Sequence, residues 1–483
     1  MAEMIPHWLT KQALLAPQKI AIETETGESI TFLQLEKQSK HFAKKLATLD
    51  IGEGSHVGIL SANEIPMIIA IHALSYLGAV TVLLNTRLTE EELTYQIKDA
   101  KVSMIMTSQD YKSDVKKIGF HIPVKSFSMI RQLSEKQVKL RSEINLNANF
   151  SIIYTSGTTG LPKGVIHTYG NHWASAIGSA LNLGLNANEK WLAMLPIFHV
   201  SGLSVFMKSV IYGMPVLLFN KFDAKKVNQA IIERGVTIVS VVTVMLQRMI
   251  EELGDSQYPE TFRCMLLGGG PAPKTLLVEA KNNQIPVFQT YGMTETASQI
   301  VTLSPHEALR KIGSAGKPLF TAQLKINNPD VKGVGEIYVK GPMVTKGYFN
   351  NESATAALFD ENWLVTGDLG YVDHEGFLYV MDRRSDLIIS GGENIYPAEV
   401  EAVLVGMNHI KEVGVVGVDD AVWGKVPIAF VVKSSPSITA KEIMDYAKEK
   451  LATYKVPKQI YFVKQLPRNA SNKLMRKELL KLM

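Results

Sequence analysis

One cysteine in 483 residues, Cys264, excludes an internal disulfide framework. Charge of one sign is scarce too: 51 Lys and Arg against 46 Asp and Glu leave a formal net charge of +5. The basic residues are scattered, so the chain carries no nucleic-acid footprint. The opening MAEMIPHWLTKQ lacks the charged-then-apolar layout of a secretory leader, which with the lone thiol makes a reducing cytoplasm the expected compartment. Short repeats and low-complexity segments are absent. Long apolar runs are nearly so: Ile65 to Leu84, IPMIIAIHALSYLGAVTVLL, alone approaches membrane length without a charge. Pro66, His72 and Ser75 interrupt it, Gly78 reads as a helix stop, and VTVLL turns to β-branched strand character. A buried helix feeding a buried strand is the expectation, with no membrane span.

What is present is a globular composition, 46% hydrophobic and 20% charged, on a chain long enough for at least two domains. HVGIL, the helix above, VTVLL, a helix opened by a capping box at Thr89 and Glu92, and VSMIMT alternate in order. VNQAIIERG then VTIVSVV, and FRCMLLGG, KTLLVEAKNN then PVFQTY, repeat the pattern. Continuous apolar strands between amphipathic helices predict mainly parallel sheets covered on both faces. Beyond about residue 320 come short strands and turns, GEIYVKG and GFLYVMDRR, and after Arg384 a mixed tail: a helix near PAEVEAVL, strands VGVVGV and IAFVVK, and a helix TAKEIMDYAKEKL. The expected fold is α/β, a large N-terminal domain of mainly parallel sheets flanked by helices plus a small β subdomain over residues 1–384, then a small α+β domain over 385–483, with the boundary between Asp382 and Asp386.

The stretch YTSGTTGLPKG, 154–164, lies between two strand-like segments, NFSIIYTS and GVIHT, with a helix expected from about Asn171. Its spacing is not that of a Walker loop, which needs a lysine followed by Ser or Thr and an immediate helix. The physics is similar even so. Gly157, Gly160 and Gly164 let backbone N–H groups approach phosphate oxygens, Thr155, Ser156, Thr158 and Thr159 offer hydroxyls, and Lys163 adds a positive charge. A surface hairpin uses the same residue types, so composition leaves both readings open.

The string resembles the signature loop of the acyl-adenylate-forming superfamily, which includes acyl-CoA synthetases, adenylation domains and luciferases. Companions follow in the family's order: LPIFHVSG at 195–202, LLGGGPAP at 266–273, YGMTET at 291–296, TGD at 366–368, DRRSD at 382–386, GGENIYPAEVE at 391–401 and PRNASNK at 467–473. The resemblance implies ATP, Mg²⁺ and coenzyme A. It places Tyr291 on adenine, Thr294 on phosphate, Glu295 on Mg²⁺, Asp368 on the ribose hydroxyls and Arg383 near the ribose. Gly268, Gly269 and Gly270 would line the adenine and acid pockets, and His199 the acid pocket, although a lone histidine is as readily structural. Lys473 matches the catalytic lysine that bridges the acid and the α-phosphate when the small domain closes. Asn472 stands where the family has glycine, and asparagine tolerates the left-handed turn best among the other residues. DRRSD matches the hinge, with Ser385 and Asp386 at the pivot, and Gly391 and Gly392 would admit the pantetheine arm.

Within the superfamily, LLGGGPAP, FQTYGMTETASQIVTL and KIGSAGKPLF are most similar to bacterial o-succinylbenzoate-CoA ligases of menaquinone biosynthesis. That acid has an aromatic ring and two carboxylates, so its site needs apolar walls and a donor or cation for the spectator carboxylate. Ser201, Lys208, Ser298 and Gln299 are the candidates. An aromatic or medium-chain fatty acyl-CoA ligase shares the motifs, as does an adenylation enzyme directed at a carrier protein. A non-catalytic nucleotide-binding relative is opposed by the joint presence of Lys473, Glu295 and Asp368. The implied partners are small molecules, and a homo-oligomer is compatible with them.

Overall fold

The computed structural model describes residues 3–111, 122–155, 161–269, 272, 274–329, 331, 333–383, 386, 388–395, 397–435, 437–467, 474 and 476–483. Among them, a six-stranded sheet runs in the order Lys163–Thr168, Asn149–Thr155, Val80–Leu83, His56–Leu60, Met104–Thr107 and Val124–Ser126. Every pairing is parallel except the first, a hairpin. Ile65–Leu77 lies between two of these strands and is buried all round apart from Pro66; it ends where Gly78 takes φ 73. A helix apolar on every side belongs in a protein core as readily as in a membrane. Among the described residues no helix is long and apolar enough to cross one.

The second sheet has a parallel half, with Trp191–Ala193, Ile238–Val242, Cys264–Gly268 and Val287–Met293 at its centre. From Ser298–Leu303 onward it turns antiparallel through Ser314–Pro318, Leu378–Arg383 and Trp363–Val372. The short-strand region read from the sequence is thus an extension of the central sheet, because Ser314–Pro318 pairs with strands on both sides. Cys264 is fully buried at the centre, and burial pushes its thiol up to about 12.

The capping box stands as read: the Thr89 hydroxyl accepts from the Glu92 N–H while the Glu92 carboxylate accepts from the Thr89 N–H. The helix expected from Asn171 starts earlier, at Tyr169, because the Asn171 side chain turns back onto the Thr168 N–H and so belongs to the first turn.

From Ile388 on, a separate five-stranded sheet forms around the hairpin of Ile410–Asp420 and Gly424–Lys433. Helices Pro397–Val405 and Ala440–Lys450 cover it, and it has apolar clusters of its own. This small part meets the large one near Arg87 to Glu92, where Lys450 pairs with Glu91 at 2.7 Å.

Candidate active site

The strands that flank the glycine-rich loop decide its geometry. In their antiparallel register Thr155 faces Lys163, so both ends of the loop are pinned opposite each other. Continuous burial from Phe150 to Ile153 anchors that strand in the core while its last two residues, Tyr154 and Thr155, emerge half-buried. The Tyr154 hydroxyl donates to Asp99 Oδ2 at 2.6 Å, fixing the loop's root to a neighbouring helix. Ser156, Gly157, Thr158, Thr159 and Gly160 lie outside the described residues.

Thr155 and Lys163 open into a cleft of ≈ 770 Å³, also lined by His199, Gly268, Gly269, Thr294, Glu295, Asp368, Gly391 and Gly392. Ten positions scattered over 237 residues of sequence separation, from 155 to 392, therefore meet in one cavity. Gly270 and Lys473 fall outside the described residues, as does the side chain of Arg383, whose backbone pairs with Asp368 in the antiparallel ladder.

Glu295 follows a strand that must turn sharply. At Gly292 a Cβ would meet the Ser298 carbonyl oxygen at 2.2 Å, so only glycine permits the turn that puts Thr294 and Glu295 on the cavity wall. His167 holds that turn from behind, its Nε2–H donating to the Thr294 carbonyl at 2.6 Å. Burial lowers the His167 pKa to about 4, which keeps the ring neutral. Glu295 is buried and its Oε1 accepts from the Tyr348 hydroxyl at 2.8 Å; the ammonium of Lys163 lies 5.1 Å from the centre of the same ring. One tyrosine thus links an anionic and a cationic group of the cleft.

Tyr291 packs beside the cleft. Its ring is buried in an apolar cluster with Ile300, Val301 and Ile337 and is not among the residues lining the cleft. Its hydroxyl donates to Asp368 Oδ2 at 2.6 Å and so orients a carboxylate that does line the cleft.

The acid candidates converge. Ser201, Lys208, Ser298 and Gln299 all line the cleft. Lys208 is 2% exposed, donates to Ser298 Oγ at 3.4 Å and lies 5.3 Å from the Trp191 ring centre. Among the described residues no carboxylate pairs with it, and burial lowers its pKa to about 8. Gln299 Oε1 is buried without a partner among the described residues.

At the junction of the two parts, Glu393 pairs with Arg87 and stands 3.4 Å from His199 Nε2. Burial pushes the Glu393 pKa up, but His199, Arg87 and Lys455 outweigh it and hold the group ionised below its usual value. Gly392, with φ 86, packs against Val242 so closely that a Cβ would come within 3.2 Å of it. Asp386 pairs with Arg476 at 2.8 Å, and Arg476 also bonds Glu401 at 2.6 Å, which ties the expected pivot to the small part. Tyr348, Trp191, Arg87 and Glu393 were not singled out in the sequence. Each acts through a contact hundreds of positions away or through a ring face, for which no local spacing exists.

Among the described residues no group of three or more His, Cys, Asp or Glu side chains is arranged to hold a metal ion. One buried carboxylate, Glu295, fits Mg²⁺, which is held through one or two carboxylates plus substrate phosphates rather than in an all-protein cage.

Residues 9–349 match the AMP-binding enzyme family and 399–473 the AMP-binding enzyme C-terminal domain. The chain is 56% identical over 485 residues to a 2-succinylbenzoate--CoA ligase of Oceanobacillus iheyensis, covering 99% of this chain and 100% of the relative. It is 54% identical to the enzyme of that name from Bacillus anthracis, covering 99% and 98%. Among solved structures, a double mutant of o-succinylbenzoate CoA synthetase from Bacillus subtilis bound with its product analogue OSB-NCoA superposes with TM-score 0.95 at 47% identity, covering 99% of this chain and 98% of that one. The same synthetase in complex with ATP and magnesium gives 0.78 at 46% identity, with 99% and 100% covered. At nearly equal identity, the superposition on the product-analogue complex is the fuller of the two.

Proposed function

The chain belongs to the AMP-binding enzyme family, and on that premise we propose that it is the ATP-dependent ligase joining 2-succinylbenzoate to coenzyme A, with release of AMP and pyrophosphate, in menaquinone biosynthesis. In the first half an oxygen of the acid attacks the α-phosphorus of ATP and the bond to pyrophosphate breaks. In the second the sulfur of coenzyme A attacks the acyl carbon and AMP leaves with the electron pair of the broken anhydride bond. Mg²⁺ held by Glu295 supplies charge neutralisation on the phosphates. Thr155, Lys163, Thr294 and the loop residues 156–160 hold the phosphates, Asp368 the ribose, and Gly268, Gly269 and Gly270 the adenine edge. Tyr291 packs on adenine, and its hydroxyl orients Asp368. Lys473, outside the described residues, is assigned to the adenylation step by its motif. Residues 385–483 are taken as the part that swings between the two steps, with Arg383 just before the pivot, while Gly391 and Gly392 flank the pantetheine path. The proposed compartment is the cytoplasm.

The observation that carries the choice of acid is the buried ammonium of Lys208. An unpaired buried cation is expensive, and a simple monoacid would leave it uncompensated. A dicarboxylic acid brings a spectator carboxylate to it, with Ser298 as second donor. The test is release of AMP and pyrophosphate with 2-succinylbenzoate, benzoate, hexanoate and 4-coumarate, each with and without coenzyme A. Turnover confined to 2-succinylbenzoate and completed by coenzyme A is expected; preferential turnover of a monoacid would overturn the assignment of Lys208.

A further inference from the structure

Lys455 closes a short turn, Thr453–Lys455, in the small part and is 3% exposed. Its ammonium stands 2.8 Å from Glu92 Oε1, on the large part, and 2.7 Å from Glu399 Oε1, on its own. Glu92 has two duties. Oε2 closes the capping box on Thr89, and Oε1 reaches a residue 363 positions away. Glu399 Oε2 is buried without a partner among the described residues, and burial raises the pKa of that carboxyl. The Thr89 hydroxyl also donates to the Lys450 carbonyl at 3.2 Å, while the Lys450 to Glu91 pair on the rim is largely exposed. Exposed pairs contribute little, whereas breaking a buried one leaves an uncompensated charge. The buried triad therefore outweighs the rim pair at this junction.

We propose that Lys455, Glu92 and Glu399 form a latch that holds the small part in the arrangement for thiol transfer, so that Lys455 and Glu92 are positioning residues for the second half-reaction alone. The inference rests on the two-step reading above. Lys455 and Glu399 travel together, whereas Glu92 stays with the large part and keeps its cap. Separation thus leaves Lys455 paired with Glu399, so its cost falls on the single contact with Glu92. Two carboxylates on one ammonium make the closed state an over-supplied pair, which suits a contact that must release.

Two variants address opposite sides of the contact. Lys455→Met keeps the stem, and Glu92→Gln keeps the capping box, which accepts Glu or Gln. Conversion of preformed acyl-adenylate by coenzyme A should slow by at least about tenfold in each, with single-turnover adenylate formation within about twofold of the parent. The double variant should be no worse than the poorer single by more than about twofold, because both break one contact. Equal losses in both half-reactions, or additive losses, would overturn the latch. A second readout needs no turnover. Spin labels on Lys136→Cys and Lys448→Cys, both more than half exposed, report the distance between the parts, and buried Cys264 stays unlabelled. Both variants should lose population from the closed distance. An unchanged distribution sinks the latch, and a parent enzyme that adenylates no acid sinks the reaction instead.

Discussion

The phosphate region and the junction between the two parts are both polar and both built around a lysine, yet they are assembled in opposite ways. Around the glycine-rich loop, each group comes from a contiguous motif and is positioned by the strand next to it: Thr155 and Lys163 by their register, Glu295 by the turn at Gly292. At the junction the partners are single residues whose neighbours in sequence say nothing about them. Arg87 meets Glu393 and Glu92 meets Lys455 across 306 and 363 positions. The first is set by local strand geometry; the second depends on how the two parts of the chain meet.

That contrast breaks most severely if Lys473 is mis-assigned. Lys473→Ala should lower pyrophosphate exchange by about 10²- to 10³-fold, the usual cost of removing one transition-state donor, and spare thioester formation from supplied adenylate. Equal loss of both would move Lys473 into the junction. A smaller effect sharpens the acid end. Lys208→Met should raise the KM for 2-succinylbenzoate by about 10- to 100-fold, the worth of a hydrogen bond to a charged group, with little change in ATP affinity. The pH dependence follows from its lowered pKa: the ammonium is retained below about 8 and lost above, so the parent KM for the acid should climb as pH rises through that value, and the variant's should not. Smallest of all, Tyr291→Phe deletes one hydrogen bond to Asp368 and should raise the ATP KM by about two- to tenfold. No change would mean that the sheet alone orients Asp368.

The sequence was informative wherever function is local. The alternating strands and helices, the capping box at Thr89 and the hairpin around the loop were legible because each rests on periodicity or a fixed spacing. The motif marked Tyr291 but not the contact of its hydroxyl with Asp368, which lies 77 positions away. The lining role of Lys208 was one of four open candidates, since only packing shows which amine is dry. Glu92 is the sharpest instance: its cap was readable, while its second oxygen served a partner that no spacing rule reaches.

Cys264, the chain's single thiol, bears on an enzyme proposed to make an activated acyl group for a sulfur nucleophile. A reactive cysteine beside such a site would intercept the mixed anhydride and acylate the protein itself. Sealed in the central sheet with its ionisation suppressed, it offers no competing sulfur, and the acyl group is left for the thiol that arrives from solution.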